Sequence, residues 1–373
     1  MTHTVVPMPV EELPFREGKP RPAPLNAHTL RHADELADAG LVAPQQQADI
    51  ERVAARYAVA ITPTIAGMID GDNPDDPLAR QFVPDARELV QTPQERDDPI
   101  GDHAHSPVEG IVHRYPDRVL LKPVHVCPVY CRFCFRREMV GPGKESALGA
   151  EALDAAIAYI ASRPEIWEVV LTGGDPLIMA PRRIAHLMSR LATVDHVKVV
   201  RWHTRVPVVA PERITPALVE ALRVPGKAVY VVLHANHASE FGPEAREACA
   251  RLVDNGIVML SQSVLLRGIN DDAETLGALM RIFVENRIKP YYLHHGDLAP
   301  GTSHFRTSIA GGQALMRALR GHYSGLCQPT YVLDIPGGHG KAAIGPCEAV
   351  AQEDTDDWRV RDFRGNTHRY PPA

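Results

Sequence analysis

The chain has 373 residues, 45% hydrophobic and 23% charged, so it is long enough to bury the core of one large domain or two ordinary domains. Its formal net charge of −6 argues against a broad nucleic-acid-binding face, and it has no apolar run of the roughly 18–20 residues that a membrane helix needs. The N-terminus lacks the basic and apolar regions of a signal peptide, so we expect a cytoplasmic protein that binds neither nucleic acid nor membrane.

Two segments precede the regularly patterned part of the chain. Residues 1–27 are rich in proline and have no periodicity, which is typical of an arm or a disordered lead. Residues 28–112 are predicted to form a helical and irregular wrap around the main domain. Alanine and leucine recur at helical spacing from Asn26 to about Arg56, and the acidic, proline-punctuated stretch over residues 70–99 is interpreted as surface.

Six apolar, β-rich runs follow, over residues 119–121, 168–172, 197–202, 228–234, 256–266 and 289–295, with helical patterns between them. This alternation predicts parallel βαβ units in a core domain over residues 113–325, followed by a C-terminal segment over residues 326–373. Right-handed crossovers would wind the strands into a barrel or partial barrel, although an open doubly wound sheet fits the pattern equally well. In either fold the functional groups are expected at the C-terminal ends of the strands, where polar residues occur.

A cysteine motif directly follows the first predicted strand. Cys127, Cys131 and Cys134 have the spacing C-x3-C-x2-C, and three thiolates in such a loop can bind three irons of a [4Fe–4S] cluster. The fourth iron then has no protein ligand, so a substrate or cofactor can chelate it. The alternatives are three packed structural cysteines or a structural zinc site, for which no fourth Cys or His follows at ribbon spacing.

The motif, with its aromatic Phe133, resembles the signature of the radical S-adenosylmethionine (SAM) superfamily. The preceding HRYPDRVLL and the following Arg136-Arg137 narrow the resemblance to the lysine 2,3-aminomutase family, and blocks such as LTGGDPL, QSVLLRGIND and DIPGGHGK extend it over roughly residues 95–345. The resemblance implies an α/β fold, a partial (β/α)6 TIM-like barrel of the radical SAM type. An N-terminal mainly helical segment and a C-terminal segment with a lysine for pyridoxal 5′-phosphate (PLP) would complete it.

The resemblance implies a SAM site after the second predicted strand. Gly173, Gly174 and Asp175 are similar to the motif for the SAM amino group; the glycines permit a close approach to the backbone, and the carboxylate can accept hydrogen bonds from an ammonium. His234 and Gln262 match family positions that line the SAM pocket. Taken alone, each is equally well explained as a hydrogen-bonded polar group at a barrel rim.

The resemblance also implies a PLP site in the C-terminal segment. Lys341 follows a glycine-rich turn and aligns with the lysine that holds PLP, although an isolated lysine after such a turn is more often a surface residue. The phosphate is expected near Arg114, Tyr115 and Arg118, since guanidinium groups donate bidentately to phosphate.

Two residues depart from the family pattern. His294 stands where better-known members have a tyrosine against the PLP ring, and His339 stands in place of a glycine.

Three further residues are predicted to bind the substrate. Arg136 matches the family position that pairs with the α-carboxylate, and Asp297 and Asp334 match the two carboxylates that receive the ε-ammonium of lysine. A partly buried ammonium needs such pairing. The alternative for each aspartate alone is a cap or turn residue.

These resemblances imply an isomerase that interconverts L-lysine and β-lysine by 1,2-amino migration, with a [4Fe–4S] cluster, SAM and PLP as cofactors. The alternatives are an aminomutase for glutamate or a modified lysine, an enzyme that supplies β-lysine for modification of elongation factor P, and a metal-binding protein without the activity. The expected partners are an amino-acid substrate, an electron donor such as flavodoxin or ferredoxin, and further copies of the chain in a dimer or tetramer.

Overall fold

The computed structural model describes residues 28–141, 146–352 and 356–371, and the predicted arm over residues 1–27 lies outside them. Four short helices come first: α1 (Ala33–Asp38), α2 (Gln47–Arg56), α3 (Pro63–Met68) and α4 (Pro77–Phe82). Thr62 and Asp76 cap α3 and α4, each with a proline at the first helical position. The helical pattern predicted from Asn26 to Arg56 is interrupted between α1 and α2, where Gly40 has a positive φ of 69°.

The acidic stretch over residues 70–99 was predicted to lie at the surface, and this prediction is wrong for its centre. Gln81 and Glu88 are fully buried, and Glu88 accepts hydrogen bonds from the guanidinium groups of Arg132 and Arg137. A buried carboxylate is tolerated because it is paired with these cations. The stretch therefore packs beneath the loop that carries the cysteines.

A nine-stranded sheet forms the body of the protein, and its strands are neighbours in chain order. Strands β2 to β8 are parallel, and β1 and β9 pair antiparallel at the two edges. The sheet is curled into a partial barrel that does not close, since β1 and β9 are not neighbours. The elements are β1 (Ile111–Tyr115), β2 (Arg118–Val124), α5 (Ala150–Ala161), β3 (Glu168–Gly173), α6 (Pro181–Ala192), β4 (Val199–Thr204), α7 (Val206–Val209), α8 (Pro216–Leu222), β5 (Ala228–His234), α9 (Pro243–Asp254), β6 (Val258–Val264), α10 (Ala273–Glu285), β7 (Ile288–His294), α11 (Ile309–Leu319), β8 (Thr330–Asp334) and β9 (Lys341–Ala343).

The predicted partial barrel is confirmed, with more strands than the six that the sequence predicts. The structure adds a seventh parallel strand, β8, and the edge strands β1 and β9. Short 3-10 helices connect several elements; they span Pro44–Gln46, Ala86–Leu89, His103–His105, Pro176–Ile178, Pro211–Arg213, Ala238–Glu240, Ser303–Phe305 and Gly325–Cys327.

Successive side chains of each strand point to opposite faces of the sheet, one toward the core and the other toward the interior of the barrel. On β4, Val200 and Trp202 are fully buried in the core, whereas Arg201 and His203 line a cavity on the opposite face. Helices α5, α6, α9 and α10 cover the outer face with fully buried residues such as Ile160, Leu191, Leu252 and Phe283. The interior therefore remains available to polar side chains.

The C-terminal segment forms a second, antiparallel sheet that the sequence did not indicate. Its strands are β10 (Ala349–Ala351), β11 (Trp358–Arg361) and β12 (Thr367–Tyr370). Across the part of the chain that the structure describes, no helix is long and apolar enough to cross a membrane.

Candidate active site

A cavity with a volume of about 1040 Å³, its open mouth included, lies inside the partial barrel. Each strand directs alternate side chains into this interior, so residues far apart in sequence meet there. The cavity is lined by ten of the predicted site residues: Arg114, Tyr115, Arg118, Arg136, His234, Gln262, His294, Asp297, Asp334 and Lys341.

Lys341 and Asp334 lie opposite each other on the β8–β9 hairpin. They are cross-strand partners, and Lys341 Nζ lies 2.7 Å from Asp334 Oδ1. His294 Nδ1 lies 3.2 Å from the other carboxylate oxygen. Although burial alone would raise the pKa of Asp334, the hydrogen bond with His294 and the charge of Lys341 hold that pKa well below its usual range. Asp334 is therefore an anion.

Asp297 is the second carboxylate in the cavity, and its electrostatic situation differs from that of Asp334. Burial and the nearby negative charge of Asp334 raise the pKa of Asp297 to about 7. Near neutral pH this carboxylate is therefore partly protonated. A cation placed between the two acids would favour its ionised form.

Arg136 lines the cavity at the end of the cysteine loop and is 9% exposed. Its Nη2 lies 3.1 Å from Asp102, and Arg114 contacts the other oxygen of the same carboxylate at 3.1 Å. Burial raises the pKa of Asp102, but the charges of Arg136, Lys122 and Arg114 and the hydrogen bond from Arg136 together lower it overall. Asp102 was missed by the sequence analysis because it lies in an irregular stretch and its partners are distant in the chain.

The predicted phosphate-binding residues form one side of the cavity next to Lys341. The backbone N–H of Lys341 donates to the Tyr115 hydroxyl at 2.7 Å, and the Arg118 guanidinium lies 3.9 Å from the centre of the Tyr115 ring. The side chain of Arg118 is one-third exposed, and Arg114 is mostly buried. Two guanidinium groups beside a reachable lysine are chemically suited to a phosphate-bearing aldehyde cofactor such as PLP.

The two departures from the family pattern have different locations. His294 is buried in the cavity wall, where it contacts Asp334 and the edge of the Tyr292 ring, and its Nε2 has no hydrogen-bond partner. His339 is exposed and is not among the residues that line the cavity. Of the two, only His294 changes the chemistry of the cavity.

His203, His234 and Gln262 lie side by side across three strands of the cavity wall. His203 Nδ1 and His234 Nε2 are 3.0 Å apart, and His234 is in register with Gln262 on the neighbouring strand. Burial lowers the pKa of His234 to about 3 and that of His203 well below its usual value, so both rings are neutral. His203 is a cavity residue to which the sequence analysis assigned no role.

The cysteine loop follows β2, and Cys127, Cys131 and Cys134 line a small cavity separate from the main one. Burial raises the pKa of Cys134 to about 11 and that of Cys127 well above its usual value, so thiolates there need a positively charged partner such as iron. Within the described ranges, no three His, Cys, Asp or Glu side chains are arranged to hold one metal ion. The cysteine ligands of a [4Fe–4S] cluster each bind a different iron, so they need not converge on one point. The cluster assignment stays a prediction.

Gly173, Gly174 and Asp175 do not line the main cavity. A Cβ at Gly174 would lie 2.3 Å from the carbonyl oxygen of Val126, so this glycine lets β3 pack against the start of the cysteine loop. The Asp175 carboxylate accepts hydrogen bonds from Thr204 Oγ1 and the Arg205 backbone N–H, both at 2.7 Å. The predicted contact of Asp175 with a SAM ammonium stays a prediction.

Two family models match this chain. Residues 121–279 match the model of the radical SAM superfamily, and residues 316–373 match a model described as lysine-2,3-aminomutase. A solved radical SAM methyltransferase from Sphaerobacter thermophilus resembles 62% of this chain and 72% of its own, with a TM-score of 0.44 and 20% identity.

Characterised relatives cover most of the chain. The L-lysine 2,3-aminomutase of Acetoanaerobium sticklandii is 41% identical over 86% of this chain and 77% of its own length. The enzyme of the same name from Clostridium subterminale is 40% identical over 82% and 73%. A glutamate 2,3-aminomutase from Clostridioides difficile is 33% identical over 91% and 79%. With these matches and a cysteine motif at the C-terminal edge of a parallel sheet, the chain belongs to the lysine 2,3-aminomutase family of radical SAM enzymes.

Proposed function

We propose that this enzyme interconverts L-lysine and β-lysine by moving the 2-amino group to C3, with a [4Fe–4S] cluster, SAM and PLP as its cofactors. The observation that carries the proposal is the composition of the cavity. It places a guanidinium, a reachable lysine and two carboxylates, from Arg136, Lys341, Asp297 and Asp334, around one space. These are the groups that a diamino acid bound to an aldehyde cofactor requires.

The cofactor sites follow from the donor groups. Lys341 would hold PLP covalently, with Arg114, Tyr115 and Arg118 toward its phosphate and His294 beside its ring. When bound, PLP supplies a conjugated system that stabilises an unpaired electron next to the amino nitrogen. A nitrogen of Lys341 bonded to a cofactor would no longer be a free ammonium, so Asp334 would become available to another cation.

The radical chemistry would be generated at the cysteine loop. Cys127, Cys131 and Cys134 would hold the cluster, and Gly173, Gly174, Asp175, His234 and Gln262 would form the SAM pocket beside it. When bound, the cluster and SAM supply one electron and a radical that removes hydrogen from carbon. The strands contribute orientation and exclusion of water.

Arg136 would bind the substrate α-carboxylate in a geometry fixed by Asp102, which contacts two nitrogens of its guanidinium. Asp297 and Asp334 would bind the distal ammonium. With both ends of lysine fixed, the carbon at position 3 has a defined place in the cavity. This arrangement favours an intramolecular rearrangement over release of a reactive intermediate.

Glutamate is the principal alternative substrate, and similarity to a glutamate 2,3-aminomutase supports it weakly. The two acids of the cavity disfavour a distal carboxylate, so we propose lysine over glutamate. A modified lysine or a role in supplying β-lysine for elongation factor P uses the same cavity chemistry. We further propose a cytoplasmic homo-oligomer that receives electrons from a flavodoxin or ferredoxin.

The proposal is tested by product analysis of protein purified without oxygen and loaded with iron, sulfide, PLP and SAM. Lysine labelled with ¹⁵N at the 2-amino group should give β-lysine with the label on C3, and omission of PLP or of SAM should abolish it. If the loaded enzyme binds every cofactor and yet yields no β-lysine, the proposed reaction is incorrect.

A further inference from the structure

A buried arginine side chain contacts one cysteine of the cysteine loop. Arg205 follows β4, and its Nη1 lies 3.3 Å from Cys131 Sγ. Arg205 is 7% exposed, and its other terminal nitrogen donates to Glu240 and to Gln81. The guanidinium is therefore a charged donor to sulfur, held on its far side by two acceptors.

Glu240, which binds the side of the Arg205 guanidinium away from Cys131, is itself held by several hydrogen bonds. Glu240 is fully buried and accepts hydrogen bonds from the backbone N–H groups of Asn236 and His237 at 2.7 and 3.0 Å and from Gln81 at 3.2 Å. The backbone N–H of Arg205 donates to Asp175 at 2.7 Å. Since both ends of Arg205 are fixed, the direction of its Nη1 toward Cys131 is set by the fold.

The other two cysteines of the loop have neutral donors. Backbone N–H groups of Asp175 and Arg136 hydrogen-bond to Cys127 and Cys134, respectively. Two further buried arginines near the loop, Arg132 and Arg137, are paired with Glu88. Cys131 thus differs from its neighbours in having a charged side-chain donor.

We propose that Arg205 raises the reduction potential of the cluster through its N–H···S bond to Cys131, and that Glu240 limits this effect by positioning and partly neutralising the guanidinium. The inference rests on the proposed role of the cysteines as cluster ligands. When an external reductant gives the cluster one electron, part of the added negative charge lies on the thiolate sulfurs. A charged donor at the sulfur stabilises that reduced form more than the oxidised form.

The proposal gives opposite directions for two substitutions. Arg205→Gln removes the charged donor, so reduction should need a more negative potential. Glu240→Gln keeps the donor and removes its countercharge, so reduction should occur at a less negative potential. A purely structural role would lower cluster content without separating the two variants in this way. Arg132→Gln is the matched control, because it also removes a buried, carboxylate-paired arginine close to the cysteines.

The experiment is an anaerobic redox titration of the full-length, iron–sulfur-loaded enzyme, followed by the electron paramagnetic resonance signal of the reduced cluster. We expect the midpoint of Arg205→Gln to lie below that of wild type by more than the midpoint of Arg132→Gln does, and the midpoint of Glu240→Gln to lie above wild type. An unchanged or higher midpoint in Arg205→Gln overturns the inference.

If Arg205→Gln does not retain a cluster, Glu240→Gln decides, and an unchanged or lower midpoint there overturns the inference. Loss of the cluster from the wild-type protein has a different meaning. That result would remove the proposed function as well, whereas an intact wild-type cluster with unmoved midpoints removes this inference alone.

Discussion

Asp297 and Asp334 share one cavity but differ in charge state because their neighbours differ. Asp334 contacts Lys341 and His294, whose hydrogen bonds favour the anion. Asp297 is buried next to that anion, which raises its pKa to about 7. The two carboxylates together therefore carry close to one negative charge below pH 7 and approach two above it. Their attraction for a distal ammonium should grow with this charge.

The first prediction concerns the pH dependence of lysine binding. Below pH 7 Asp297 is mostly protonated and neutral, and above pH 7 it is an anion, while the lysine ε-ammonium with its pKa of about 10.4 stays cationic throughout. The KM for lysine should therefore fall as the pH rises through about 7. Asp297→Asn should lose this fall, whereas Asp254→Asn, at an exposed site, should keep it. An identical profile in wild type and Asp297→Asn would exclude Asp297 from substrate binding.

The second prediction concerns the cofactor lysine. Lys341→Ala removes the only amine proposed to hold PLP, so the absorbance of lysine-bound PLP should disappear and turnover should collapse. Lys289→Ala is the control, since Lys289 contacts the backbone of Leu326 and Gln328 away from the cavity. Persistence of the bound-PLP absorbance in Lys341→Ala would show that a different lysine is the anchor.

At the scale of elements, the site depends on close backbone packing between segments distant in sequence. Gly338 packs against the segment that carries Asp102, and His105 Nε2 lies 3.0 Å from its carbonyl oxygen. The hairpin with Lys341 and the segment that orients Arg136 are therefore fixed to each other. Gly174 plays the same part between β3 and the cysteine loop.

The third prediction tests that packing. Gly174→Ala would bring a methyl group to 2.3 Å from the Val126 carbonyl oxygen, so the loop must move. We expect the free energy of unfolding, measured by urea titration, to fall by roughly 1–3 kcal/mol, and iron retention to fall with it. Gly67→Ala is the control, because nothing lies within 4 Å of its added Cβ in helix α3. Equal stability of the two variants would contradict this account of Gly174.

The sequence predicted the parallel strands β2 to β7 because each is an apolar run bounded by turn residues and helical patterns. Its six strands did not include β8, nor β1 and β9, which are short edge strands with polar residues. Motif resemblance named ten of the residues that line the cavity. It could not name Asp102 or Glu88, because burial of an acid depends on arginines tens of residues away, and local pattern does not record such pairing.

At the scale of the whole molecule, the cysteine loop and the main cavity are built on the same sheet. Arg136 joins them, since it follows Cys134 by two residues and lines the cavity. The residues proposed to hold the cluster and those proposed to bind the substrate are thus close together in the fold.

The fourth prediction concerns the cluster in the intact protein. The enzyme should be brown and oxygen-sensitive, and Cys131→Ala should lose both iron content and activity because three thiolates are needed to hold the cluster. Cys347→Ala should retain both, since that thiol is exposed and lies outside the cysteine loop. Full iron content and activity in Cys131→Ala would refute the cluster assignment.

The most direct test of the central claim is the ratio of kcat/KM for lysine to that for glutamate. Truncating one partner of a partly desolvated charge pair costs roughly 2–5 kcal/mol, and each 1.4 kcal/mol is tenfold. A cavity with Asp297 and Asp334 should therefore favour lysine by at least on the order of a hundredfold, and Asp334→Asn should reduce that ratio while cluster content is unchanged. Comparable rearrangement of glutamate and lysine by the wild-type enzyme would contradict the account, because the two carboxylates would then have no part in selecting the substrate.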